Sequence, residues 1–115
     1  MIREGIFHEA VMAYDDIFVD DTISDKLRAY RYGSEEGDMV ALVYKGSHPL
    51  KVSLRCDNKL SKLLREKYET VLPAENLNKR YWNTILCTGQ LPEDEVYDLL
   101  RLSYRLASGK DPLDI

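Results

Sequence analysis

Met39-Val-Ala-Leu-Val-Tyr44, then Lys45-Gly-Ser-His-Pro49, then Leu50-Lys-Val-Ser-Leu-Arg-Cys56: this run of the sequence decides the fold. Its first segment is apolar at both alternating positions, which predicts a central strand covered on each side. Gly46 and Pro49 punctuate the connection. The second segment alternates, with Leu50, Val52, Leu54 and Cys56 on one face and Lys51, Ser53 and Arg55 on the other, so its second face is expected to be basic and less buried. A connection this short favours antiparallel pairing. Asp57 is then suited to cap a helix reaching about Tyr68, with Leu60, Leu63, Leu64 and Tyr68 as its buried stripe.

Toward the N-terminus, Leu27 to Tyr32 reads as a further strand, joined to Met39 through Gly33-Ser-Glu-Glu-Gly37, whose glycines supply positive φ. Asp15, Asp16, Asp20, Asp21 and Asp25 crowd the stretch before it. They predict a solvated acidic loop whose Ile17, Phe18 and Val19 fold back on the core; their spacing lacks the central Gly and closing Glu of a calcium loop. From Arg3 to Tyr14, Ile6, Phe7, Ala10, Val11 and Tyr14 recur at helical spacing. Toward the C-terminus, Glu69 to Asn78 with Pro73 reads as a loop. A last helix starts at Pro92, carries Glu93, Asp94 and Glu95 at its positive end, and stops at Gly109. Its inner face is expected to be Val96, Leu99, Leu100, Ser103, Leu106 and Ala107. The whole is one α+β domain over residues 1–109, an antiparallel sheet with helices packed on it, followed by a loose tail over 110–115.

Composition narrows the class. The chain has 115 residues, 44% hydrophobic and 31% charged, with no apolar run long enough to span a bilayer, so a soluble protein is expected. The first ten residues lack a signal-peptide pattern, which points to the cytoplasm with no membrane partner. Cys56 and Cys87 match neither a metal site nor a disulfide framework and read as reduced, partly buried thiols. Net charge is −4, against bulk attraction to nucleic acid, but it is unevenly spread. Residues 45–80 hold nine basic and four acidic side chains, while residues 1–44 hold four and ten.

Leu77-Asn-Lys-Arg-Tyr-Trp-Asn-Thr-Ile-Leu-Cys-Thr88 concentrates the chemistry: the only Trp, two adjacent cations and two Asn lead into a β-prone tail. Asn78, Lys79, Arg80 and Asn83 have the donors to hold a phosphate, or to fasten their own loop to carboxylates and carbonyls. Trp82 suits either base stacking or, by preference, a core position with its indole N–H on a carbonyl. Lys51 and Arg55 share a strand face and are candidates for the same basic patch. Catalysis finds no support: His8 and His48 stand in no nucleophile or metal spacing, and there is no phosphate-binding glycine fingerprint. Neither a cofactor nor a metal is expected.

The run Leu54-Arg-Cys-Asp57, the Leu-Arg-Glu-Lys-Tyr of residues 64–68, Pro73, Asn78-Lys-Arg-Tyr-Trp-Asn-Thr84 and Leu91-Pro92 together resemble the MmcQ/YjbR family over most of the chain. The resemblance implies a CyaY-like or secretion-chaperone-like α+β arrangement. It also implies DNA binding through a double-wing motif. Family members often carry Tyr-His before the Asn-Lys pair and His before Trp; here Glu75, Asn76 and Tyr81 stand there, so no role needing an imidazole carries over. The expected function is non-catalytic binding of double-stranded DNA through a basic face of Lys51, Arg55, Asn78, Lys79, Arg80 and Asn83. A protein-interaction module and a small anion-binding pocket near Asn78 to Asn83 are the alternatives.

Overall fold

A computed structural model describes residues 1–110. The chain runs α1 (Glu4–Met12), β1 (Ile17–Ser24), β2 (Leu27–Tyr32), β3 (Met39–Tyr44), β4 (Lys51–Arg55), α2 (Asn58–Lys67), β5 (Val71–Pro73), β6 (Trp82–Leu86), α3 (Glu93–Ser108). Six strands form one sheet in the order β1-β2-β3-β4-β6-β5, every neighbouring pair antiparallel. The α+β expectation holds. The tail expected from residue 110 falls, apart from Lys110, outside the described residues.

Register sorts the side chains. Ala41 lies opposite Leu54, Val43 opposite Val52, and Val52 opposite Ile85, so these residues share one face. They join Phe7 and Val11 of α1 and Val96, Leu100 and Tyr104 of α3 in a single buried cluster. Each fully buried Val or Leu here contributes about 1.5–3 kcal/mol relative to exposure. Ser61 of α2 reaches the same side, where its carbonyl accepts from Asn83. The opposite face carries Ala29, Leu42, Ser53 and Thr84, none of which belongs to that cluster. All three helices therefore pack on one side of the sheet, and the other side is free of helices.

Local signals account for most boundaries. Asp57 Oδ1 accepts from the Leu60 N–H at 2.7 Å, capping α2. Gly109, at φ 72°, closes α3 with its N–H on the Arg105 carbonyl.

Several expectations need correction. Residues 17–24 form the edge strand β1, not a loop, because Ile17, Phe18 and Val19 pair with Tyr32, Arg31 and Tyr30, while the acidic side chains project from the edge or meet cations. Val71–Pro73 is a short strand within the expected loop, and its Pro is tolerated because β5 is an edge. Ser53, placed on a less buried face, is fully buried. Its hydroxyl bonds to that of Thr84 at 2.7 Å. The helical stripes are narrower than expected: Leu63 is 52% exposed and Leu106 39%, while Tyr104, outside the expected stripe of α3, is buried.

A basic turn at one end of the sheet

The turn before β6 is held rigidly for so exposed a segment. Asn78 Oδ1 accepts from the Arg80 N–H at 3.0 Å, and the Asn78 carbonyl accepts from the N–H groups of Tyr81 and Trp82. From α2, the Arg65 guanidinium donates to the Lys79 carbonyl at 2.9 Å. From the end of β4, the Cys56 N–H donates to the Tyr81 carbonyl. The backbone of the turn is thereby tied to a helix and a strand, while the side chains of Lys79, Arg80 and Tyr81 project into solvent.

Not every expected residue gathers here. Arg55 does: it lies directly opposite Trp82 in the β4–β6 ladder, half-buried, at the end of the sheet nearest the turn. Lys51 is at the other end of β4, about 13 Å away at the rise of a strand. There its ammonium sits 4.3 Å from the centre of the Tyr44 ring. Asn83 points to the helix side: it is 2% exposed, its Nδ2 donates to the Ser61 carbonyl at 3.3 Å, and its Oδ1 has no partner. It fastens α2 to the sheet.

Trp82 is buried, as expected, but outside the main cluster. Because Asn83 and Ile85 face the helices, period-two alternation turns Trp82 and Thr84 to the helix-free side. Arg65, the clamp on the turn, was not a candidate in the sequence; a basic residue in the last turn of a helix is the only local signal it carries.

Electrostatics divide the molecule. Asp21 accepts from the Arg28 guanidinium at 2.9 Å and lies 3.7 Å from Lys45, and Asp20 pairs with Arg31 at 3.2 Å. The Thr22 hydroxyl and N–H, foremost, and Arg31 hold the Asp20 carboxyl below its ordinary range; Arg28 does the same for Asp21. Lys51, Arg55, Lys59, Lys62, Lys79 and Arg80 form no ion pair among the described residues.

Reactive chemistry has little footing. His8 Nδ1 lies 2.8 Å from the Tyr30 hydroxyl, and Ser47 Oγ is spent on the Tyr44 carbonyl and the Lys51 N–H. Burial pushes the Cys87 thiol up to about 11 and also raises that of Cys56, so neither is a ready nucleophile. Among the described residues no group of three His, Cys, Asp or Glu could share a metal, and no helix is long and apolar enough to cross a membrane. The void beside Asn83, between Leu54, Cys56, Leu64 and Leu99, measures about 10 Å³, room for at most one water.

The YjbR family model matches residues 14–106. An Escherichia coli (strain K12) protein named "Uncharacterized protein YjbR" is 35% identical over 72 residues, which are 63% of this chain and 61% of that protein. The chain thus matches under two thirds of this relative's length. Among solved structures, a Deinococcus radiodurans protein with a DUF419 domain superposes with a TM-score of 0.82 at 23% identity, covering 95% of this chain and 82% of the other. A Pseudomonas syringae protein gives 0.74 at 24% identity, covering 93% and 99%. These two likenesses establish the fold.

Proposed function

Since the chain belongs to the YjbR family, we propose that it binds DNA without catalysing a reaction on it, through the basic end of its sheet. Lys79 and Arg80 hold phosphates, Arg55 adds a fork beside them, and the free amide of Asn78 supplies neutral donors. The observation that supports this reading is the unequal pairing of cations. On β2 and after β3, Arg28, Arg31 and Lys45 are matched to Asp20 and Asp21. At the turn and the strand end beside it, Arg55, Lys79 and Arg80 have no such match among the described residues, as Lys26, Arg101 and Arg105 elsewhere have none. A turn whose backbone is clamped while its cations stay free is pre-organised for an anion, because little order remains to be imposed on binding. The acidic edge at β1 repels a polyanion and turns the basic end toward it.

Fluorescence anisotropy with a labelled duplex tests this. Binding should be measurable at low salt, weaken as salt rises, and fall at least about tenfold in Lys79→Ala/Arg80→Ala. Lys26→Ala, in the distant β1–β2 turn, should bind as wild type. A folded sample that binds no duplex at low salt overturns the proposal.

One observation favours a second reading, a protein-interaction surface. A groove of about 260 Å³ between α2 and α3 is floored by Leu60, Leu64, Leu99 and Leu102 and rimmed by Glu95 and Asp98. Leu63, 52% exposed, extends the apolar surface of α2. Light scattering decides whether a second copy uses it: concentration-dependent mass lost in Leu63→Lys supports this reading, and a monomer at every concentration with no retained partner counts against it.

A further inference from the structure

We infer that the leucine face between α2 and α3 is closed by a second copy of this chain, the two α3 helices lying antiparallel across a twofold axis near Leu102; the inference rests on the protein-interaction reading above and names its partner. Leu60, Leu64, Leu99 and Leu102 floor the groove of about 260 Å³. Leu63 and Leu106, 52% and 39% exposed, extend it along the two helices, because Leu63 neighbours Leu60 at i+3 and Leu106 neighbours Leu102 at i+4. An apolar centre of this kind, free of charge, is what the core of an interface between identical subunits requires.

The surrounding charges select a copy of the same face. Asp98, Leu102 and Arg105 recur at i, i+4 and i+7, so they form one stripe along α3. Both charged members are exposed, and neither forms an ion pair among the described residues. Asp98 stands one turn before Leu102 and Arg105 one turn after it, about 10 Å apart at the rise of a helix, too far to pair with each other. Reversing the helix about Leu102 exchanges the two signs. In an antiparallel pair, Asp98 of each copy therefore meets Arg105 of the other, with Leu102 packed on Leu102 between the two contacts, which is the self-complementarity that a twofold interface demands. On α2, Lys59, Leu63 and Lys67 share an exposed stripe at i, i+4 and i+8, so cations flank the exposed leucine there, while Glu95 and Asp98 rim the groove on α3. The patch thus carries both signs around its leucines, as a self-pairing surface must. Arg65, which clamps the basic turn, stands two residues beyond Leu63 and so on another flank of α2. Pairing through the leucine face leaves Lys79 and Arg80 of both copies open.

Sedimentation equilibrium of the intact protein over a range of concentrations tests this. The mass of wild type should rise to twice that of the monomer. Asp98→Arg and Arg105→Asp, each of which sets like charges against one another at both contacts of the dimer, should each weaken dimerisation at least about tenfold. Combined as Asp98→Arg/Arg105→Asp, they should restore it to within about threefold of wild type, since the exchanged pair is again opposite in sign. That rescue excludes misfolding as the cause of the single losses. Wild type that stays monomeric at every concentration overturns the inference. So does a dimer indifferent to the single reversals, or one that the combined reversal fails to restore. A monomer that retains a different protein in a pull-down, lost in Leu63→Lys, also overturns it, while leaving the protein-interaction reading intact.

Discussion

Gly37 stands where the β2–β3 connection folds back on itself, and a Cβ built there would lie 1.7 Å from the Tyr32 carbonyl oxygen. That oxygen belongs to the backbone and cannot swing aside. Gly37→Ala should therefore cost about 2 kcal/mol or more and lower the melting temperature by several degrees, whereas Gly5→Ala, in the first turn of α1 with nothing near its Cβ, should gain about 0.5 kcal/mol. Calorimetry on the two variants checks both signs. In the sequence both hairpin glycines look alike; Gly33 has the positive φ expected of it, but Gly37 is required by close approach, which no local pattern displays. Cys87 makes a second prediction at this scale. Burial, then the nearby Glu93 charge, raises its folded pKa to about 11 from 9.0, so folding holds a proton that the unfolded chain releases. The stabilisation is complete below the unfolded pKa and is lost as pH climbs toward 11, by up to about 2 kcal/mol. Buried Tyr30 and Tyr104, also raised, deepen the loss. Denaturant titrations from pH 7 to pH 11 should show this decline, and Cys87→Ala should make its early part shallower.

At the level of elements, β1 is instructive. Its five surrounding aspartates suggest a loop, yet cross-strand partners decide the outcome: Thr22 and Arg31 absorb Asp20, and Arg28 and Lys45 absorb Asp21. Pairing partners 11 and 7 residues away in sequence are invisible to a local reading. Because the folded Asp20 pKa is depressed, its stabilisation is present above the ordinary carboxyl range and lost as pH falls below it. Acid unfolding of Asp20→Asn should accordingly depend less steeply on pH than that of wild type. The β4–β6 ladder gives a sharper test. Ser53 and Thr84 satisfy each other in a buried site, so Ser53→Ala alone strands the Thr84 hydroxyl and should cost about 1–2 kcal/mol. Adding Thr84→Val should cost little more, and a double-mutant cycle with additive losses would contradict the pairing.

For the molecule as a whole, the legible part was the chemistry of strands and caps. The alternation through Lys51 to Arg55, the Asp57 cap and the Gly109 stop were plain because each is set by residues within a turn or a strand. The candidate site was legible only in part. Arg55, Asn78, Lys79 and Arg80 do lie at one end of the sheet, but Asn83 is buried on the helix side and Trp82 is buried on the opposite face, since register with β4, not the local run, assigns their faces. Charge is divided too: Arg28, Arg31 and Lys45 are matched to Asp20 and Asp21, while Lys79 and Arg80 of the turn, like Lys26 and Arg101 elsewhere, form no ion pair among the described residues. If that division serves DNA, the salt dependence of binding carries its signature. The most direct measurement is the slope of log affinity against log salt on duplex DNA for wild type and for Lys79→Ala/Arg80→Ala. Two lost phosphate contacts should make the slope shallower by about 1.8. An identical slope in the two proteins, or no binding by folded wild type at low salt, would contradict the account.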